Sequence, residues 1–304
     1  MAIANGKVIL LGEHAVVYGH PALVVGIAEG AEASVTIDGS SSITVGEHQA
    51  RLGEGDLGRA FGALLHSLDT PPLCAKVSLR IPAGCGLGAS AAVAVALARA
   101  ALDLTDPAPV ETAERRKRIL RAADAWERVF HGSPSGIDAA AASRGGCFVF
   151  TRGTGPQSIQ LAAQLNLAVA VADVPAVTRI QVEKVADLHE TDPQRVDRIF
   201  NSVGKLVESA KASLEQGFAA RLGPLMNENH ALLQALSVST KNLDRACDCA
   251  RSAGALGAKL TGSGGGGCVV ALCSTDTAPV LAAWKSLGLS CFSTIIDNAP
   301  GTTP

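Results

Sequence analysis

The arrangement of apolar and polar positions changes near the middle of the chain. Residues 7–11 (KVILL) form a compact apolar run that predicts a short buried strand. Segments 22–28 and 33–38 follow with β-type composition and turn residues between them. Apolar positions at helical spacing predict helices over 57–68 and, with many charges on the other face, over 111–130. Residues 75–81 alternate as a strand and stop at Pro82. Residues 90–102 are almost all Ala, Val and Leu, the pattern of a helix buried on most sides. Strands are predicted at 145–150 and 167–171. Four helices are then predicted, at 178–189, 193–216, 218–236 and 242–253. A strand at 258–261, a glycine run, a strand at 268–272, a helix at 278–287 and a strand at 290–296 close the chain. Strand-rich followed by helix-rich organisation predicts an α+β protein in two lobes. A Gly/Pro/Ser/Gln stretch at 152–166 sets the boundary, giving lobes 1–160 and 161–304.

Composition narrows the function classes. Apolar residues make up 47% and charged residues 18% of 304, enough for a packed core and incompatible with general disorder. A net charge of −2 and 3% aromatics argue against a nucleic-acid partner, since both the electrostatic footprint and the stacking platforms are missing. The eight cysteines contain no CxxC pair and read as small buried hydrophobes in a reducing compartment. The first residues lack a basic start followed by a long apolar run, and the best apolar stretch, 89–98, is too short for a membrane span. A soluble cytoplasmic protein with no membrane partner is expected.

Thirty-two glycines are the first chemical signal, because several are clustered. The segment Gly84, Cys85, Gly86, Leu87, Gly88, Ala89, Ser90 lies between a predicted strand and the buried helix. Successive glycines let backbone N–H groups turn inward, and the helix start adds its positive dipole end, so the segment has the makings of an anion site. Ser90 could cap that helix or bind a metal beside a phosphate, and a plain strand–helix turn would use the same residues. The segment is neither a GxxxxGK[ST] loop nor a completed GxGxxG fingerprint. A second cluster, 262–267, holds five glycines in six positions, more than the one or two a hairpin needs. It reads as a backbone wall close to a ligand or to the first loop.

Charged residues accompany these loops. Lys7 sits inside an apolar strand, where an unpartnered ammonium is expensive, unless the strand is an exposed edge. Glu13 and His14 follow it. Glu127 lies near a helix end, where a carboxylate is disfavoured by the dipole, and Asp138 lies in a loop leading into the small-residue helix 139–143. Surface or helix-start roles would explain each acid alone. Together the set supplies an amide cradle, metal oxygen ligands, a lysine and a carboxylate base, which is what phosphoryl transfer requires.

In their order along the chain, 7–23, 82–92 and 259–268 resemble the three motifs of the GHMP small-molecule kinases. Within that family the chain is most similar to the mevalonate kinase branch, through GKVILLGEHAVVYGHPAL, ERVFHGSPSGID, LMNENHALLQAL and AGALGAKLTGSGGGGC. The resemblance implies a nucleotide-binding N-terminal lobe, a ferredoxin-like C-terminal lobe and an active site in the cleft between them. It implies ATP- and Mg²⁺-dependent phosphorylation of the 5-hydroxyl of mevalonate, in isoprenoid precursor synthesis, by a homodimer. Carried over by position, Asp138 is the catalytic base and Lys7 its partner, and Ser90 and Glu127 are Mg²⁺ ligands. Residues 84–90 hold the ATP phosphates, with Thr178 on the substrate side and Glu13 and His14 either near the substrate or supporting Lys7. Departures are Ala89 for the first of two loop serines, Asn5 for a usual proline, and Ser263 for a common alanine. Ala89 removes one hydroxyl that could reach phosphate. Another GHMP kinase, acting on phosphomevalonate, homoserine or a sugar, remains an alternative. So does a catalytically silent member of the fold, which would be expected to have lost Lys7, Ser90, Glu127 or Asp138.

Overall fold

The computed structural model describes residues 1–108, 110–132 and 134–298; Ser133, in the ERVFHGSPSGID segment, lies outside them. Contacts divide the chain into two compact units. The first comprises Met1–Lys7, Ala28–Ala83 and Gly88–Arg144, and the second Val8–Ile27, Gly84–Leu87 and Gly145–Pro304. The chain thus changes unit several times, whereas the composition reading drew one boundary near 152–166.

In the first unit, strands β3 (Ser42–Val45), β4 (His48–Arg51), β5 (Leu73–Leu79) and the later part of β2 (Ala22–Ile37) stand in the order β4-β3-β5-β2. β3 and β5 run parallel, and β5 runs antiparallel to β2 with Ala31 opposite Leu79 and Ile37 opposite Leu73. β1 (Ala2–Leu11) also pairs with β2. Helices α1 (Gly55–Leu68), α2 (Ala89–Thr105), α3 (Ala113–His131) and α4 (Ile137–Arg144) pack against one another. The unbroken buried run Ala91–Ala98 of α2 lies at the centre of their core, with Phe61, Leu64, Ile119 and Trp126 around it. That burial on every side is what the nearly charge-free sequence of α2 requires. Thr112 starts α3 by accepting the Arg115 N–H at 3.1 Å.

β2 is one 16-residue strand where a turn was expected at 29–32. Gly30 is there for a different reason: a Cβ at this position would lie 2.0 Å from the Ala4 carbonyl oxygen, so only glycine lets β1 approach.

The second unit contains a four-stranded antiparallel sheet of β8 (Leu165–Asp173), β9 (Gly257–Thr261), β10 (Gly267–Cys273) and β11 (Cys291–Ile296), in the order β11-β8-β10-β9. Helices α5 (Thr178–Thr191), α6 (Pro193–Glu215), α7 (Leu222–Ala235) and α8 (Lys241–Ser252) connect β8 to β9, and α9 (Ala278–Ser286) connects β10 to β11. This β-α-β-β-α-β arrangement with strand order 4-1-3-2 is ferredoxin-like, as expected. Trp284, Leu243, Val269 and Leu260 are among the fully buried side chains of its core. The unit also contains β6 (Gly146–Thr151), paired with residues 22–26 of β2, and β7 (Gly155–Ile159), paired with β6. The short polar strands β3, β4 and β7 have no sequence prediction to match them. β7 falls inside the stretch read as irregular, because three of its five residues face solvent and show no apolar alternation.

Candidate active site

Within the first unit, Lys7 and Asp138 form an ion pair, Nζ to Oδ1 at 3.0 Å. The lysine side chain is 5% exposed, so it is not an exposed edge-strand lysine, while the aspartate is 37% exposed. Asp138 lies in the first turn of α4, one step further into the helix than the sequence suggested, where the dipole favours its negative charge. Its Oδ1 is buried and lacks any aligned hydrogen-bond donor, leaving Lys7 as its electrostatic partner. Gly88 makes room for this lysine. A Cβ there would sit 3.1 Å from the Lys7 Cβ, and its φ of +74° is one that other residues rarely adopt. Gly88 is the N-cap of α2 and offers no side chain to the first N–H groups of the helix, with Ala89 as the first helical residue. Those donors are therefore available to an anion.

Ser90 and Glu127 are also together. The Ser90 hydroxyl donates to Glu127 Oε1 and accepts the Trp126 indole N–H at 3.1 Å. Glu127 is 5% exposed. Burial pushes its carboxyl above the usual range, against the Ser90 hydrogen bond. The Asp138 charge pushes it the same way, and His131 and Lys7 oppose. A carboxyl short of positive charge, a serine oxygen with a remaining lone pair and the Asp138 Oδ1 are all hard oxygen donors, the kind Mg²⁺ takes. Among the described residues no three His, Cys, Asp or Glu side chains converge on a metal site.

Within the second unit, Gly84, Cys85 and Gly86 line a recess together with Thr178, Ser263 and residues of the glycine run. The two glycine segments touch backbone to backbone: a Cβ at Gly262 would lie 3.1 Å from the Gly86 Cα, and one at Gly267 3.2 Å from the Cys85 carbonyl oxygen. The run is thus a wall against the first loop. Leu87 is buried. Cys85 and Cys268 share a thiol hydrogen bond, which lowers the Cys85 thiol to about 7 and raises that of Cys268. His14 has φ +61°, and its Nε2 lies 2.9 Å from the Ser263 carbonyl oxygen. A carbonyl only accepts, so Nε2 carries the proton. Burial, opposed by that bond and assisted by the Lys259 charge, lowers the ring to about 4, so it is neutral at pH 7. Thr178 opens α5 and receives the Ser263 hydroxyl at 3.4 Å.

Glu13 is 2% exposed and paired with Lys259. Lys259 and Asn229 were not picked out from the sequence. The signal was present, in a lysine within the apolar strand GAKLT and an asparagine among the apolar positions of α7. No helix of the described residues is long and apolar enough to cross a membrane.

Residues 57–146 match the GHMP kinases N-terminal domain and residues 210–288 the GHMP kinases C-terminal domain. A mevalonate kinase of Thermococcus sibiricus is 34% identical over 95% of this chain and 93% of its own length. One of Methanothermobacter thermautotrophicus is 34% identical over 94% and 95%. Among solved structures, L. major mevalonate kinase in complex with R-mevalonate aligns at a TM-score of 0.86 and 28% identity, covering 97% of this chain and 95% of that one. The Methanococcus jannaschii mevalonate kinase aligns at 0.83 and 25%, covering 98% of both.

Proposed function

We propose that this chain, which belongs to the GHMP kinase family, transfers the terminal phosphoryl group of ATP to the 5-hydroxyl of mevalonate. The observation that carries the reading is the Lys7–Asp138 pair at 3.0 Å, an acid that keeps access to solvent against an ammonium that does not. Asp138 takes the hydroxyl proton as the O–P bond forms. Lys7 lowers the hold of the hydroxyl on that proton and offsets charge building on the transferring group. The α2 N-terminus, with Gly88, Ala89 and Ser90, and the loop Gly84–Leu87 hold the phosphates through backbone N–H groups. Ser90 and Glu127 would hold Mg²⁺ through their oxygen atoms, and the ion would supply neutralisation of phosphate charge. His14 and Thr178 stand on the substrate side, with Glu13 behind His14. Lobes 1–160 and 161–304, each enclosing one matched domain, a cytoplasmic location and a homodimeric state complete the proposal.

A panel of mevalonate, phosphomevalonate, homoserine and galactose, each with ATP and Mg²⁺, tests it. ADP release with mevalonate alone is expected. ADP from another alcohol and none from mevalonate would overturn the substrate. ATP binding without turnover on any alcohol would favour a silent member of the fold.

A further inference from the structure

Behind His14, Glu13 meets two enclosed polar side chains that the catalytic reading does not use. Lys259 and Asn229 are both 0% exposed and Glu13 is 2% exposed. The Lys259 ammonium donates to Glu13 Oε1, to the Leu260 carbonyl at 2.5 Å and toward the Ile9 carbonyl at 3.5 Å. Three protons thus face three oxygens. Glu13 Oε2 receives the Asn229 amide at 3.3 Å, and Asn229 Oδ1 receives the Gly12 N–H at 3.4 Å. The Thr261 hydroxyl receives the Ile9 N–H and donates to the Ile9 carbonyl, both at 3.1 Å. The chain leaving β1 is therefore held at Ile9, Gly12 and Glu13 by side chains of α7 and β9. Only then does it turn through His14, whose φ of +61° is costly for a residue with a Cβ.

An ion pair this deep is weak evidence for stability, since two apolar side chains of similar volume often serve as well. Its geometry is what an apolar pair would not supply. We propose that Lys259 and Asn229 are positioning residues: by occupying both carboxylate oxygens of Glu13 they fix the turn that presents the His14 ring to the acceptor alcohol. Glu13 is then an internal counter-charge, and His14 makes the substrate contact. The inference rests on the kinase reading for the identity of the alcohol, and on the hydrogen bonds alone for the clamp.

The test compares Lys259→Met, the double variant Glu13→Leu/Lys259→Met, and Asn229→Leu. Thermal unfolding, the KM for mevalonate, the KM for ATP and the titration of the His14 ring by NMR are measured for each. The single lysine variant is expected to lose melting temperature. The double variant regains most of it, yet its KM for mevalonate stays raised about tenfold or more while that for ATP moves less than about twofold. Asn229→Leu changes no charge, so a rise of its His14 titration from about 4 toward 6.5 reports a loosened turn. Recovery of both melting temperature and mevalonate KM in the double variant overturns the proposal, as does an equal rise in both KM values. If the wild type phosphorylates none of the alcohols, the kinase reading fails, and the His14 titration still decides the clamp. A ring unmoved in Asn229→Leu refutes it.

Discussion

Two lysine–carboxylate pairs of the same chemistry sit in this molecule in opposite environments. Lys259 and Glu13 are 0% and 1% exposed, and every proton of the ammonium has an oxygen to meet. Lys7 is 5% exposed, but its partner Asp138 is 37% exposed, and Asp138 Oδ1 has no aligned donor. The first pair is enclosed, with each ammonium proton and both carboxylate oxygens engaged inside the protein. The second keeps unspent capacity on the acid, facing a charge that stabilises an incoming anion. Burial of a charged pair therefore says little about catalysis until the remaining valences of each partner are counted.

The largest effect that can break this contrast is chemical. Asp138→Ala is expected to lower kcat by roughly 10²–10⁴-fold, the range for loss of a general base, with ATP affinity retained. Steady-state ADP release and calorimetric nucleotide binding measure the two sides. A loss below about tenfold would move the main role to Lys7.

Stability should divide the two lysines the other way. Lys259→Met leaves Glu13 buried without its main counter-charge, at a cost of about 3–5 kcal/mol. Lys7→Met leaves an acid whose side chain is 37% exposed, so its cost is expected to be smaller than that of Lys259→Met even though Asp138 Oδ1 is itself buried. Denaturant midpoints of the two variants check this, and equal losses would erase the distinction drawn above.

The open cluster was more legible in the sequence than the closed one. Lys7, Ser90, Glu127 and Asp138 stand in motifs whose glycines and charges interrupt apolar runs, so their chemistry is visible in one dimension. Lys259 and Asn229 are meaningful only through partners 246 and 216 residues away, and nothing in their neighbourhoods names Glu13. The fold shows the same divide. The helices and the central strands came from periodicity, whereas β3, β4 and β7 are short and largely polar. Gly30 marks a close approach of β1, a tertiary event that local sequence writes in the same letters as a turn.

Glu127 sharpens the comparison at intermediate strength. Its carboxyl is pushed up chiefly by burial, so the folded state holds this proton more tightly than the unfolded chain does. The sign follows: ionising it costs stability as pH rises through the folded value, and that cost fades at lower pH. Glu127→Gln is therefore expected to melt at or about 1–3 °C above the wild type at pH 7, with the gap closing on acidification. The same variant needs about tenfold more Mg²⁺ for half-maximal rate, because a neutral amide is a poorer ligand for a hard cation than a carboxylate. Scanning calorimetry across pH and a Mg²⁺ titration of turnover measure the two effects. A Glu127→Gln protein that melts lower than wild type at every pH would assign this acid to the class of Glu13.

The smallest effect is a gain. If the cluster around α2 has unused capacity, a donor added there should improve it, whereas the Lys259 network is enclosed and already engages both oxygens of Glu13. Ala89 is the first residue of α2, beside an N-terminus that no side chain caps. Ala89→Ser places a hydroxyl at that end of the helix, within the segment that grips phosphate in our reading. One added hydrogen bond to a charged oxygen contributes at most about 1.5–3 kcal/mol, and less after the serine loses rotamer freedom. The expected result is a several-fold lower Kd for ATP, with the KM for mevalonate unchanged because His14 and Thr178 are untouched. Competition of the serine with the helix for its own N–H groups works against the gain, which is why several-fold is expected and not a hundredfold. Calorimetric titration of the variant with the nucleotide reads it directly. An ATP affinity equal to that of the wild type would mean that the N-terminal donors of α2 are already committed, and the phosphates would have to be held by Gly84–Leu87 alone.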